Sequence, residues 1–352
     1  MPDKRFPYLP EAENFSGDII GGSEDRFGPA RPEPADRSVR PAAPEEHLPP
    51  VDMRVTLAGV TLKNPVVVAS GTFGFGREYN QFYDLGELGG ICAKGLTLHR
   101  REGNPAPRIA ETPMGILNSV GLQNPGVDEF ITQELPELRK HDVKIIANIS
   151  GNTPEEYGIL CQKLSDAGVD MIEVNVSCPN VKCGGLQYGV VPEMTAEVTE
   201  VAKKHSAVPV MVKLSPNVTD ITAIAKAVES AGADAVSLIN TVRGMRIDVN
   251  TRRPILKMNT GGLSGPAVLP IAVRMVWEVA NTVSIPVLGM GGIATGADAA
   301  EMMLAGASAV AVGTANFVDP YAPLQVRDEL AAIAQRQGLR SVTELTGGVL
   351  PW

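Results

Sequence analysis

No apolar run in this chain approaches the roughly 18 residues that a membrane-spanning helix requires. The first residues also lack a basic segment followed by an apolar one, so no secretory signal is expected. Cysteine is scarce. Cys92, Cys161, Cys178 and Cys183 in 352 residues do not make a disulfide framework. Cys178 and Cys183 have no further Cys or His at ligand spacing, and His47, His99, His141 and His205 are scattered, so no metal or iron–sulfur site is expected within the chain. A formal net charge of -9 argues against general nucleic-acid binding. Together these absences point to a reduced, cytoplasmic setting.

What is present divides at about residue 50. Residues 1–50 hold ten of the 28 prolines and charges of both signs, with almost no periodic apolar pattern. Such a stretch cannot bury enough surface to offset its ordering entropy and is expected to be a disordered extension. From Val51 onward, short Val/Ile/Leu-rich segments alternate with helical ones. The strand candidates are Pro65–Ser70, Gly90–Gly95, Val143–Ser150, Met171–Cys178, Val208–Ser215, Ala235–Thr241, Ile285–Gly291 and Ala309–Thr314. Segments with a 3.6-residue period include Thr153–Ala167, Thr219–Ala231, Ala267–Thr282 and Thr295–Ala305. Continuous apolar strands suit a parallel sheet covered on both faces. Eight strand–helix units in about 300 residues match a (β/α)8 TIM barrel, which takes about 250 residues plus insertions. A doubly wound Rossmann sheet fits less well, because no G-x-G-x-x-G follows the first strand. Two connections, Thr97 to Asp128 and Val242 to Pro266, are too long for simple loops. Both follow strand ends and are expected to be rim insertions on the catalytic face.

The residues at the expected strand ends carry the chemistry. Asn175-Val176-Ser177-Cys178-Pro179-Asn180 places a thiol and amides just past the fourth strand, and the Pro turns Cys178 away from a helix. Gly291-Gly292 and Gly313-Thr314 end the last two strands, where barrels commonly bind phosphate through bare backbone N–H groups. Lys94 and Lys213 end two further strands. Each is compatible with a Schiff-base lysine, a cationic clamp on an anion or reduced cofactor ring, or an ion pair in the barrel core. Along the chain no acid lies beside Lys213, which favours the clamp. Asn118, Asn148, Asn175 and Asn240 are single cap or turn residues if taken separately. Converging on one rim they would read a pyrimidine or flavin edge, because an amide donates and accepts at once.

Longer strings make a resemblance specific. Ala69-Ser70-Gly71-Thr72-Phe73-Gly74, Asn118-Ser119-Val120-Gly121-Leu122-Gln123-Asn124-Pro125-Gly126, the segment Asn175 to Gly185, Gly261-Gly262-Leu263-Ser264-Gly265-Pro266 and Gly289-Met290-Gly291-Gly292-Ile293 resemble the class 1 dihydroorotate dehydrogenases. Ser177-Cys178-Pro179-Asn180-Val181-Lys182 with Gly184-Gly185, and Val312-Gly313-Thr314-Ala315-Asn316-Phe317, are similar to the class 1B catalytic subunit. The resemblance runs from about Val51 to the C-terminus and leaves the Pro-rich residues 1–50 outside it. Class 2 enzymes carry a serine base and an N-terminal membrane helix, whereas this chain has Cys178 and no such helix.

The resemblance implies an FMN-bearing barrel that oxidises dihydroorotate to orotate in pyrimidine biosynthesis, with Cys178 as the catalytic base. It implies that Lys94, Asn118, Ser119, Val120, Gly121, Leu122, Asn175, Asn240 and Thr241 line the orotate site. Ser70, Lys94, Gly95, Asn148, Asn175, Lys213, Ile239, Gly265, Gly291, Gly292, Gly313 and Thr314 would contact FMN, with Lys213 at the flavin's N1–C2=O edge. It further implies a homodimer within a heterotetramer, whose second subunit carries FAD and a [2Fe–2S] cluster and passes electrons to NAD. Two other readings are a dihydropyrimidine dehydrogenase-like flavoenzyme and a class 1A-type use of fumarate.

Overall fold

In a computed structural model describing residues 49–176, 188–350 and 352, eight parallel strands close into a barrel. They are β1 (Val66–Val68), β2 (Gly90–Cys92), β3 (Lys144–Ile149), β4 (Met171–Asn175), β5 (Val210–Lys213), β6 (Ala235–Leu238), β7 (Val287–Met290) and β8 (Ala309–Val312). Each pairs with its neighbour in chain order, and β8 pairs with β1 to close the ring. All eight sequence-read strands are present, and the fold is the expected (β/α)8 barrel. The strands are shorter than the apolar runs because the ladder stops where each chain turns into its loop. β4, for instance, ends at Asn175 rather than at Cys178.

The strands lie almost wholly inside the protein, which is why their sequences are apolar without alternation. The four sequence-read helices appear as Pro154–Ala167, Ile221–Ser230, Leu269–Ala280 and Gly296–Leu304. Their starts follow from capping chemistry. Thr153 and Asp220 accept from first-turn N–H groups, and Thr295 with Asp298 forms a reciprocal capping box. Three helical segments, Val127–Glu129, Phe130–Glu134 in π geometry and Leu135–Leu138, follow β2. Pro192–His205 follows β4, and Ala322–Arg336 follows β8. A hairpin of Val55–Leu57 and Val60–Leu62 leads into β1. The Pro-rich stretch lies outside the described residues up to position 48.

The two long insertions do not remain separate. Val242–Gly244 and Gly261–Ser264 from the second pair with Gly115–Asn118 and Ile109–Thr112 from the first, giving one four-stranded antiparallel sheet. Both insertions leave C-terminal strand ends, so this sheet stands over the catalytic rim.

Candidate functional site

At the centre of the barrel is a buried carboxylate. Glu173 on β4 is completely shielded from solvent. Its Oε1 accepts from Ser237 Oγ on β6 at 2.6 Å. Its Oε2 accepts from Asn148 Nδ2 on β3 at 2.5 Å and from Cys92 Sγ on β2 at 3.0 Å. Lys213 Nζ on β5 stands 3.8 Å from the same oxygen. At that separation two unit charges attract by roughly 4 kcal/mol in the effective dielectric found in proteins. Burial pushes the Glu173 carboxyl up, but the Lys213 charge and the three donors outweigh it and hold the group below the usual glutamate range. Burial, and then the Glu173 charge, push the Cys92 thiol far up, so Cys92 serves here as a donor and not as a nucleophile. The sequence puts no acid beside Lys213, but the fold does, forty residues away in the chain. That corrects the expectation of an acid-free lysine and realises part of the core ion-pair reading. Glu173 itself was missed, although one acidic residue in the apolar run Met171-Ile172-Glu173-Val174 is a legible signal: a charge there must find partners.

This cluster determines what the site offers above it. Because Asn148 commits its NH2 to Glu173, its carbonyl side is fixed, and Oδ1 is buried without a partner among the described residues. A Cβ on Gly95 would come within 2.8 Å of that oxygen and 3.3 Å of Leu122 Cδ2, so Gly95, Leu122 and Asn148 meet at one point. Leu122 holds a left-handed φ of 56°, a costly conformation for a branched side chain that is concentrated at functional sites. Asn240 Nδ2 lies 3.4 Å from Asn175 Oδ1, and Asn118 Nδ2 lies 3.4 Å from the Gly262 carbonyl. Ser119 Oγ is buried and unpartnered among the described residues. The backbone on either side of it is pinned, since Ser119 N–H donates to Arg108 O and Val120 O accepts from Asn104 N–H. Gly121 packs on the Asn104 side chain, and Thr241 Oγ1 crowds Gly262. Lys94 is half-buried and makes no ion pair with any described residue. Burial, and then the charge of Arg108, lower its pKa.

The remaining strand ends form a backbone-lined wall. Gly291 has φ of 123°, and a Cβ there would meet Ala272 at 2.9 Å and Ile239 at 3.1 Å. Gly292, at φ 86°, would meet the Leu269 backbone nitrogen at 2.7 Å. Neither Gly292 nor Gly313 donates its N–H to a backbone carbonyl among the described residues. Thr314 Oγ1 donates to Ser264 Oγ at 2.8 Å, and a Cβ on Gly265 would lie 3.5 Å from Thr314 Cγ2. Ser70 lies two residues past the end of β1, and its backbone, opposing the burial and the Glu173 charge, tends to lower the pKa of the Cys92 thiol.

These features fit flavin mononucleotide. An unpartnered buried amide oxygen suits a ring N–H, a lysine suits the edge that gains negative charge, and glycine-lined N–H groups suit a phosphate. The structure thus draws the expected cofactor-contacting and substrate-lining residues to one rim. Cys178, the expected base, lies outside the described residues, between Val176 and Tyr188.

The family model for dihydroorotate dehydrogenase matches residues 52–334. A protein of Anoxybacillus flavithermus named dihydroorotate dehydrogenase B (NAD(+)), catalytic subunit is 56% identical over 296 residues, covering 84% of this chain and 95% of the relative. Proteins with the same name from Geobacillus kaustophilus and Alkaliphilus metalliredigens are 57% and 54% identical. They cover 84% and 85% of this chain, and 95% and 99% of their own lengths.

Proposed function

The chain belongs to the dihydroorotate dehydrogenase family, and from that premise we propose that it oxidises (S)-dihydroorotate to orotate with FMN in pyrimidine biosynthesis. The reading is carried by strand-end placement: Asn148, Asn175 and Asn240 end or follow β3, β4 and β6 on the rim that also bears Lys94, Lys213 and the glycine turns after β7 and β8, and Asn118 lies in the insertion sheet that follows from the same rim. When bound, FMN supplies the acceptor for the hydride that leaves substrate C6.

This chain's own residues do the rest. Cys178 removes the C5 proton. A free thiol has a pKa of about 8.5, and a positive charge beside such a group lowers it toward neutral, which is the range a general base needs. Lys94 faces the substrate carboxylate. Its burial lowers the solvation that would otherwise compete for the anion. The amides of Asn118, Asn175 and Asn240 orient the pyrimidine ring, and the loop Ser119 to Leu122 shapes the site beneath the insertion sheet. Lys213 holds the flavin's N1–C2=O edge. Gly292, Gly313 and Thr314 bind its phosphate.

A second subunit bearing FAD and a [2Fe–2S] cluster would supply the route by which the electrons reach NAD. Support for this comes from the relatives' name, which pairs "catalytic subunit" with NAD(+), and from the class 1B strings around Cys178 and Gly313. No helix among the described residues is long and apolar enough to cross a membrane. We assign the chain to the cytoplasm, where a soluble NAD pool accepts the electrons.

Steady-state turnover with a small dye as acceptor tests the reading. Dihydroorotate should support turnover, and dihydrouracil should not. Cys178→Ala should retain FMN and lose roughly 10²–10⁴-fold in rate. Turnover with dihydrouracil in place of dihydroorotate would overturn the substrate assignment, and a fully active Cys178→Ala would overturn the base.

A further inference from the structure

Among the described residues, Glu173 and Lys213 are the only Asp, Glu, Lys or Arg side chains buried in the protein, at 0% and 5% exposure. A buried ion pair is costly to desolvate, and a well-packed apolar pair often serves stability as well or better, so its presence here points to function. The 3.8 Å between Lys213 Nζ and Glu173 Oε2 is beyond hydrogen-bonding reach. The two therefore act on each other through charge and not through a shared proton. Ser237, Cys92 and Asn148 come from three other strands and fix the carboxylate so that it cannot turn away.

We propose that Glu173 is a positioning residue that sets the reduction potential of the bound flavin by offsetting the positive charge of Lys213. The inference rests on the reading above, in which Lys213 faces the flavin edge where negative charge collects on reduction. Lys213 alone favours the reduced flavin. A fixed negative charge just behind it opposes that effect, so the potential follows the pair and not the lysine. The low-dielectric barrel interior makes the offset large, because little water screens either charge.

The test is anaerobic equilibration of the FMN-loaded chain with a redox dye, reading the reduced-to-oxidised flavin ratio at a fixed dye poise. Glu173→Gln should raise that ratio by on the order of tenfold. Lys213→Gln should lower it, and the double variant should return close to wild type, a compensation that a purely structural role would not give. Wild-type chain that holds no FMN would overturn the flavin reading and this inference with it. FMN-loaded wild type with Glu173→Gln unchanged, or shifted in the same direction as Lys213→Gln, would overturn this inference alone. Should Glu173→Gln not fold, Glu173→Asp carries the test: it keeps the charge but draws it back from Lys213, so the ratio should rise by less. An unchanged or lowered ratio in Glu173→Asp would then overturn the inference.

Discussion

Thr314 and Ser264, fifty positions apart, share a hydroxyl–hydroxyl hydrogen bond of 2.8 Å. One lies in the loop after β8 and the other ends a strand of the insertion sheet, so the bond ties the turn proposed to bind phosphate to the insertion sheet. A Cβ on Gly265, the next residue, would come within 2.6 Å of Gly115 Cα and 3.5 Å of Thr314 Cγ2, so only glycine fits there. The turn after β8 and the insertion sheet are thus directly joined.

Ser264→Ala should therefore weaken cofactor binding even though Ser264 is not itself assigned to the flavin. One hydrogen bond of this kind contributes about 0.5–1.5 kcal/mol, which corresponds to a roughly 2- to 10-fold loss in FMN affinity. Fluorescence titration of the apoprotein with FMN measures it. An unchanged dissociation constant would show that the two parts are independent.

Gly292→Ala should cost more than its single methyl suggests. The position combines a φ of 86° with a Cβ site 2.7 Å from the Leu269 backbone nitrogen. Gly59 provides the control, with a φ of 80° and nothing within 4 Å of its Cβ site. Gly59→Ala bears backbone strain alone, about 1–2 kcal/mol. Gly292→Ala adds the clash and should also reduce the FMN carried by the purified protein. Thermal unfolding with and without FMN separates the two. Equal melting temperatures for the two variants would contradict the crowding at Gly292.

Legibility differed sharply between these features. The barrel could be read because each of the eight strands is buried on both faces, and a run such as Val66-Val67-Val68 or Ala309-Val310-Ala311-Val312 has few other uses. The four helices could be read from their 3.6-residue period, whereas their exact starts are set locally, as where Asp220 caps a helix that begins at Ile221. The two insertions were visible as insertions, but their joint sheet was not: Asn118 and Gly262 pair across 144 positions, and nothing local to either specifies the other. The Lys213–Glu173 relation was hidden for the same reason. Each residue lies in its own apolar strand, and only closure of the barrel makes them neighbours. The strand-end placement of the candidate site residues was readable because the rule that places function there is topological and needs no long-range contact.

Acid should expose the Glu173 cluster. Its carboxyl is held below the usual glutamate value of about 4.3. A carboxyl whose folded pKa is depressed adds stability that is fully present above the unfolded value and is lost as pH falls through the folded one. Glu173→Gln should consequently be less stable than wild type at neutral pH, and the gap should close on acidification below the usual glutamate value. Urea unfolding across a pH series measures this. A gap that stays constant or widens in acid would contradict an ionised Glu173.

The most direct measurement is a single anaerobic turnover of the FMN-loaded chain, without partner subunit or external acceptor. Excess dihydroorotate should bleach the flavin completely and release one orotate per FMN, with NAD added alone leaving the reduced flavin untouched. Flavin that stays oxidised under dihydroorotate, or bleaches without forming orotate, would contradict the proposed reaction at its core.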